Sequence, residues 1–147
     1  MVWLYLLFAF AGGVVLPLQA GINAQLGHWL GSPVRAAFVS FLVGTIVLLV
    51  AAAFVFKPLP SWAKLGNAPW WVWIGGILGA FYVAASIVTA PKLGAAQLVA
   101  LVVAGQALAS LVVDQFGWVG FETKQISLGR ALGMGLVFAG VALVRFF

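Results

Sequence analysis

Three amide side chains fall close together near the end of the first apolar run, in Pro17-Leu18-Gln19-Ala20-Gly21-Ile22-Asn23-Ala24-Gln25. Gln19 and Asn23 are one helical turn apart and share a face. Amides donate and accept neutral hydrogen bonds, so this face can hold a polar solute. The competing reading is structural, since amides also tie helices together. Pro17 and Gly21 favour a site, because loosened helices at membrane depth are how many transporters build one. Lipid offers no partner to a bare amide or an opened backbone, so the stretch has to face other helices or a wet cavity.

Other polar side chains recur at helical spacing. Gly75, Gly79, Tyr82, Ser86 and Thr89 follow one helix face, small at one end and hydroxyl-bearing at the other. Tyr82 and Ser86 face the same way and are candidates to line a pocket. Gln106, Ser110 and Asp114 lie four apart on another helix. Gln106, deep in an apolar run, has to be paired or wet. Gln97 lies at the start of that run, where a helix cap explains it nearly as well. Ala36, Ser40 and Gly44 form a smooth stripe for close helix approach, with Ser40 a minor candidate for the pocket wall. Asp114 is a possible coupling-ion or proton site. Its place at a helix end also fits a solvated acid, or one paired with Arg130.

The chemistry for catalysis is not assembled. There is no cysteine, the one histidine (His28) sits among turn-forming residues, and both acids fall between residues 114 and 122. No metal cluster, Ser-His or Cys-His pairing or cofactor motif is apparent, and the glycines read as helix packing. An enzyme is the weakest reading.

These side chains need apolar helices to carry them. The chain has 147 residues, 65% hydrophobic and 6% charged, with a mean hydropathy of +1.22. Soluble domains carry about 25% charged residues. The expected fold is an all-α integral membrane protein, one domain with five spans near 2–24, 34–56, 70–90, 94–113 and 128–147. The N-terminal run lacks a basic start and is read as a retained span. The runs are continuous rather than alternating, which argues against a barrel. Leu26–Pro33 and Pro91-Lys92-Leu93 read as turns, the second joining an antiparallel helix pair. Lys57–Pro69 and Asp114–Ser127 read as polar loops. Trp70, Trp71 and Trp73 mark an interfacial belt, and Trp29 an anchor.

The net charge of +5 comes from bases scattered between apolar runs. It points to lipid headgroups and topology rather than nucleic acid. Five spans put Lys57, Lys64, Lys124 and Arg130 on one side, and Arg35, Lys92 and Arg145 on the other. Four against three barely sets an orientation. The expectation is insertion in both directions with antiparallel pairing, or an oppositely oriented partner. Unequal loop lengths fixing a single orientation is the third possibility.

Several stretches together carry a resemblance: PLQAGINAQLG from Pro17, Ser32-Pro33, Ser40 to Thr45, PWWVWIGGILGAFY from Pro69, PKLGAA from Pro91, Gly105-Gln106, Asp114-Gln115-Phe116-Gly117 and Gly140-Val141. The chain resembles the YdcZ-like family of small five-helix proteins in the drug/metabolite transporter superfamily. The resemblance implies an inner-membrane, multi-pass transporter built as an antiparallel pair. Gly133 and Gly140, seven apart, are similar to the dimerisation helix of the four-helix multidrug-resistance relatives. Those relatives carry a carboxylate in the first helix, whereas this chain has Gln19 and Asn23. Their proton-coupled cation export is therefore not carried over.

The function expected is secondary transport of a small polar or amphipathic metabolite by alternating access. Its pathway would be drawn from Gln19, Asn23, Ser40, Tyr82, Ser86, Gln97, Gln106 and Ser110, in a pocket between two oppositely oriented subunits. The alternatives are a small-ion channel of dual-topology type, or a non-transporting partner subunit of a heterodimeric transporter. The partners expected are membrane lipid, a small-molecule substrate and a second copy or homologous subunit, with no cofactor, metal or nucleic acid.

Overall fold

A computed structural model of the chain describes residues 2–55 and 66–147. Among these residues five helices are long and apolar enough to cross a membrane, and no strand is present. In chain order they are α1 (Val2–Leu30), α2 (Pro33–Val55), α3 (Gly75–Leu93), α4 (Ala95–Phe116) and α5 (Leu128–Phe146). A short 3-10 segment, Trp70–Ile74, runs directly into α3, and another, Trp118–Gly120, follows α4. The expected loop at Lys57–Pro69 falls largely outside the described residues.

The helices divide into two compact units, Met1–Lys92 and Leu93–Phe147. In the first unit Ala36 and Ala37 of α2 pack with Val83 and Ile87 of α3 as a small buried cluster. Leu26, Leu30, Tyr82 and Ala84 lie against it. Most large apolar side chains elsewhere point outward, including Phe8, Phe10, Leu48 and Phe54. Between lipid-solvated helices no hydrophobic force drives association, so close packing of small residues has to do it. Gly27 of α1 is the most closely approached glycine of this unit: an added Cβ would lie 3.0 Å from Ile87 Cγ2 and 3.7 Å from Ala36 Cβ. Ala36 is fully buried, so the Ala36 end of the small-residue stripe seats α2. Gly44, at its other end, has open space over it.

Helix α1 differs from the sequence expectation in two ways. It passes through Pro17 and Gly21 without a break, and it continues to Leu30, through the first five of the eight residues, Leu26–Pro33, expected to form a turn. Proline removes one donor and leaves the carbonyl four residues earlier without its helical partner. Helical hydrogen bonding simply resumes after it. The chain turns only at Gly31-Ser32. Gly31 has φ +64°, the left-handed conformation that ends many helices. Ser32 N–H then reaches back to the Gly27 carbonyl at 3.1 Å, and Gly31 N–H to that of His28 at 3.3 Å. Ser32 Oγ accepts from Arg35 N–H at 3.4 Å, and Pro33 opens α2, where its missing donor costs nothing. The Arg35 guanidinium donates to the Leu30 carbonyl at 3.3 Å, bracing the corner. Pro91 and Lys92, expected in a turn, are likewise inside α3, and Gly94, at φ +75°, is the single residue between α3 and α4.

In the second unit α4 and α5 pack together. Gly117, at φ +62°, closes α4 and its N–H bonds the Val113 carbonyl. Ser127 caps α5 by accepting from Arg130 N–H at 3.3 Å.

Candidate functional site

The first unit holds two clefts that meet at Gln19. One lies between α1 and α3, lined by Leu16, Gln19, Ala20 and Asn23 from α1 and by Tyr82, Val83 and Ser86 from α3. The α1 positions are spaced three, one and three apart, which is one face of a helix. This cleft holds about 10 Å³, close to the room one water needs. Asn23 and Ser86 are its buried polar side chains, each 5% exposed. The other cleft lies between α1 and α2, lined by Gln19, Ser40, Phe41, Gly44, Thr45 and Leu48, with about 210 Å³. On the same measure that is well beyond the room one water needs.

The hydroxyls are partly committed to their own helices. Ser86 Oγ donates to the Tyr82 carbonyl at 2.8 Å, and Thr45 Oγ1 to the Phe41 carbonyl at 2.8 Å. Their oxygens therefore face the clefts as acceptors. Donors come from the Gln19 and Asn23 amides, the Ser40 hydroxyl and the Tyr82 phenol. Neither lining contains an ionisable group other than that phenol. Gly79 lets the Phe41 ring come in, 3.5 Å from where its Cβ would stand.

The structure thus brings Gln19, Asn23, Tyr82 and Ser86 together in one cleft, and Gln19 and Ser40 in the other. Thr45 was not singled out in the sequence. It follows Gly44 on the small-residue stripe, and that adjacency was the available signal. Gln97, Gln106 and Ser110 belong to α4, in the second unit. Gln97 lies at the third helical position and is half-buried, while Gly94 is the cap residue and supplies no side-chain bond. Gln106 and Ser110 are exposed, and Ser110 Oγ donates to the Ala107 carbonyl at 2.8 Å. Asp114 is ion-paired: Arg130 Nη2 donates to its Oδ2, and Arg130 Nη1 to the Lys124 carbonyl at 2.9 Å. Around Gly133 and Gly140 of α5 no described atom lies within 4 Å of an added Cβ, so both leave that helix surface low. Among the described residues no three His, Cys, Asp or Glu side chains cluster as a metal site.

Five helices apolar and long enough to span a membrane, with clefts in the first unit whose polar side chains are uncharged, fit a membrane transport protein. The family comparison agrees. Residues 4–143 match the family model described as "Putative inner membrane exporter, YdcZ". The chain is also 31% identical to the inner membrane protein YdcZ of Escherichia coli (strain K12), over 142 residues. The match spans 96% of this chain and 94% of that protein. The chain belongs to the YdcZ family and is a multi-pass inner membrane protein. No solved structure matches it.

Proposed function

We propose that the chain is a secondary transporter that carries a small polar or amphipathic metabolite across the inner membrane by alternating access. The observation that carries this reading is the meeting at Gln19 of two largely apolar clefts whose polar side chains are all uncharged. The larger cleft is a vestibule for a solute. The smaller, with Asn23 and Ser86, holds the solute's polar end by uncharged hydrogen bonds. A neutral or zwitterionic ligand suits such a lining, because nothing in it answers a net charge. Two copies inserted in opposite directions supply the inverted pair that alternating access needs. The balance of four against three Lys/Arg supports this arrangement, as do the unfilled surfaces at Gly133 and Gly140. In that pair Gln97, Gln106 and Ser110 of α4 extend the pathway. Asp114 serves as a structural anchor, since a carboxylate answered by a guanidinium has no free charge to offer an ion.

The test is uptake of candidate metabolites into proteoliposomes holding the purified protein. Saturable flux that falls with Gln19→Ala and with Asn23→Ala supports the reading. A flux that both substitutions leave intact rules out this site, and steady, non-saturating current identifies a channel instead.

A further inference from the structure

The stretch Asp114–Ser127 reads as polar because it holds both acids of the chain, yet its residues from Phe116 to Phe121 are apolar or glycine and face outward. Phe116, Trp118, Val119 and Phe121 are each more than half exposed, and the Phe116 and Trp118 rings stack with centroids 5.1 Å apart. The backbone here is forced. Gly117, Val119 and Gly120 all have positive φ, and Val119, at +56°, is the single non-glycine residue among the described ones to do so. A β-branched residue in that region is a strong outlier, and such strain persists only where its surroundings impose it.

What imposes it is a polar clasp at the base. Lys124 N–H bonds the Asp114 carbonyl at 2.8 Å, and Ile126 N–H bonds Gln115 Oε1 at 2.8 Å. Arg130 ties the Lys124 carbonyl to the Asp114 carboxylate. Phe121 N–H bonds the Trp118 carbonyl at 3.2 Å. We infer that Gly117–Phe121 is a membrane-interface wedge, a preformed apolar tip that dips below the headgroups beside the ends of α4 and α5.

Three observations select lipid as what covers it. The tip continues directly from one membrane-spanning helix and leads back to another, so it lies at the bilayer edge. Its two ends are tied by backbone bonds, Gly117 N–H to the Val113 carbonyl and Phe121 N–H to the Trp118 carbonyl, which leaves fewer bare donors to carry toward hydrocarbon. Its side chains are the aromatic and apolar types that settle at an interface. From Asp114 to Arg130 the two acids, Asp114 and Glu122, balance the two bases, Lys124 and Arg130, so the tip and its base are neutral although the whole chain carries +5. Apolar insertion rather than attraction to anionic lipid therefore holds the wedge in place.

The chain has no cysteine, so single spin labels report position cleanly. Val119→Cys, Phe121→Cys and Glu122→Cys are labelled in the full chain, reconstituted into vesicles of neutral lipid and into vesicles with added anionic lipid. Collisions with oxygen, enriched in lipid, are compared with collisions with a water-soluble nickel chelate. The ratio of oxygen to nickel accessibility should be several-fold higher at 119 and 121 than at 122, and the same in both lipids. Equal ratios at all three positions would overturn the wedge. So would labels at 119 and 121 shielded from both reagents, which would mean that protein covers the tip. An inserted tip only with anionic lipid would overturn the apolar mechanism.

Discussion

Replacing Gly27 by alanine tests the contact that seats α1 beneath the inner cleft. Asn23 is one turn before Gly27 on α1, and Ser86 immediately precedes Ile87 on α3, so whatever parts Gly27 from Ile87 parts the cleft as well. The new Cβ would stand 3.0 Å from Ile87 Cγ2, 3.7 Å from Ala36 Cβ and 3.9 Å from Pro33 Cα. Carbon atoms rest at about 3.5–4.0 Å, so the last two contacts are ordinary and the first is too close by about half an ångström. Ile87 cannot easily yield. It is 4% exposed, and Cγ2 sits on a β-branched carbon whose rotamer a helix nearly fixes. The helices have to separate instead, at about 1–3 kcal/mol, the usual cost of overpacking. Against this, alanine gains up to about 1 kcal/mol over glycine in a helix. The net expectation for Gly27→Ala is a loss of about 0–2 kcal/mol. Ile87→Ala alone leaves a void and costs about 2 kcal/mol, the low end for such truncations because lipid-solvated helices gain little from burial itself. In the double variant the clash disappears and the new methyl fills part of the void. The two changes should then couple favourably by about 1–2 kcal/mol, within the range seen for residues in contact. Unfolding all four proteins in mixed micelles of mild and denaturing detergent gives the cycle. Additivity within about 0.5 kcal/mol, the scatter of independent sites, would refute the contact. So would a Gly27→Ala protein stabilised by the full helix-propensity gain.

The clasp and the caps carry further expectations. Arg130→Ala should cost about 1–2 kcal/mol because it removes two charge-assisted hydrogen bonds. Asp114→Asn should cost under about 1 kcal/mol, since the pair is 30% and 23% exposed and Arg130 keeps its bond to the Lys124 carbonyl. The same micelle titration ranks the two, and the reverse order contradicts the geometry. Gly31→Ala meets no atom and should lose only the left-handed preference, about 1–2 kcal/mol. Gly117→Ala adds a Cβ 2.6 Å from Thr123 Oγ1 and should lose clearly more, part of it recovered by Thr123→Ala. Thr45→Val keeps the shape of the outer cleft and removes one acceptor. A hydrogen bond worth about 0.5–1.5 kcal/mol then predicts roughly a 2- to 12-fold rise in the KM of uptake.

The spans were readable because lipid imposes a simple demand: about 20 apolar residues per crossing. Their ends were less readable, because local hydrogen bonds set them. Leu26–Pro33 contains two glycines and a proline and looks like a turn, but Gly27 is there for helix contact and only Gly31 bends the chain. The same ambiguity affected Pro17, which looks like a break and stands within an unbroken helix. The inner cleft was readable from periodicity, since Gln19 with Asn23 and Tyr82 with Ser86 each share a helical face. The outer cleft was half readable: Ser40 lay on a visible stripe, whereas Thr45 lay beside it and its hydroxyl bond to Phe41 has no sequence signal. The wedge was hidden by counting charges, which draws attention to Asp114 and Glu122 and away from the four apolar side chains between them.

The placement of charge constrains how any such transport is driven. The chain has two carboxylates, Asp114 and Glu122, and both lie at the α4–α5 turn. Neither cleft of the first unit contains one. In the proposed pair a second copy of the same chain would bring the same two acids, with Asp114 again held by Arg130 and Lys124 again bonded to the Asp114 carbonyl. Drawing Asp114 into ion coupling would mean opening the Arg130 pair, and with it the clasp that shapes the wedge. Glu122 is exposed and already in water. A proton taken up inside the cleft therefore has no carboxylate to reside on. Under the proposed mechanism the amides and hydroxyls there leave solute binding itself, neutral and reversible, as the event that would bias one conformation over the other.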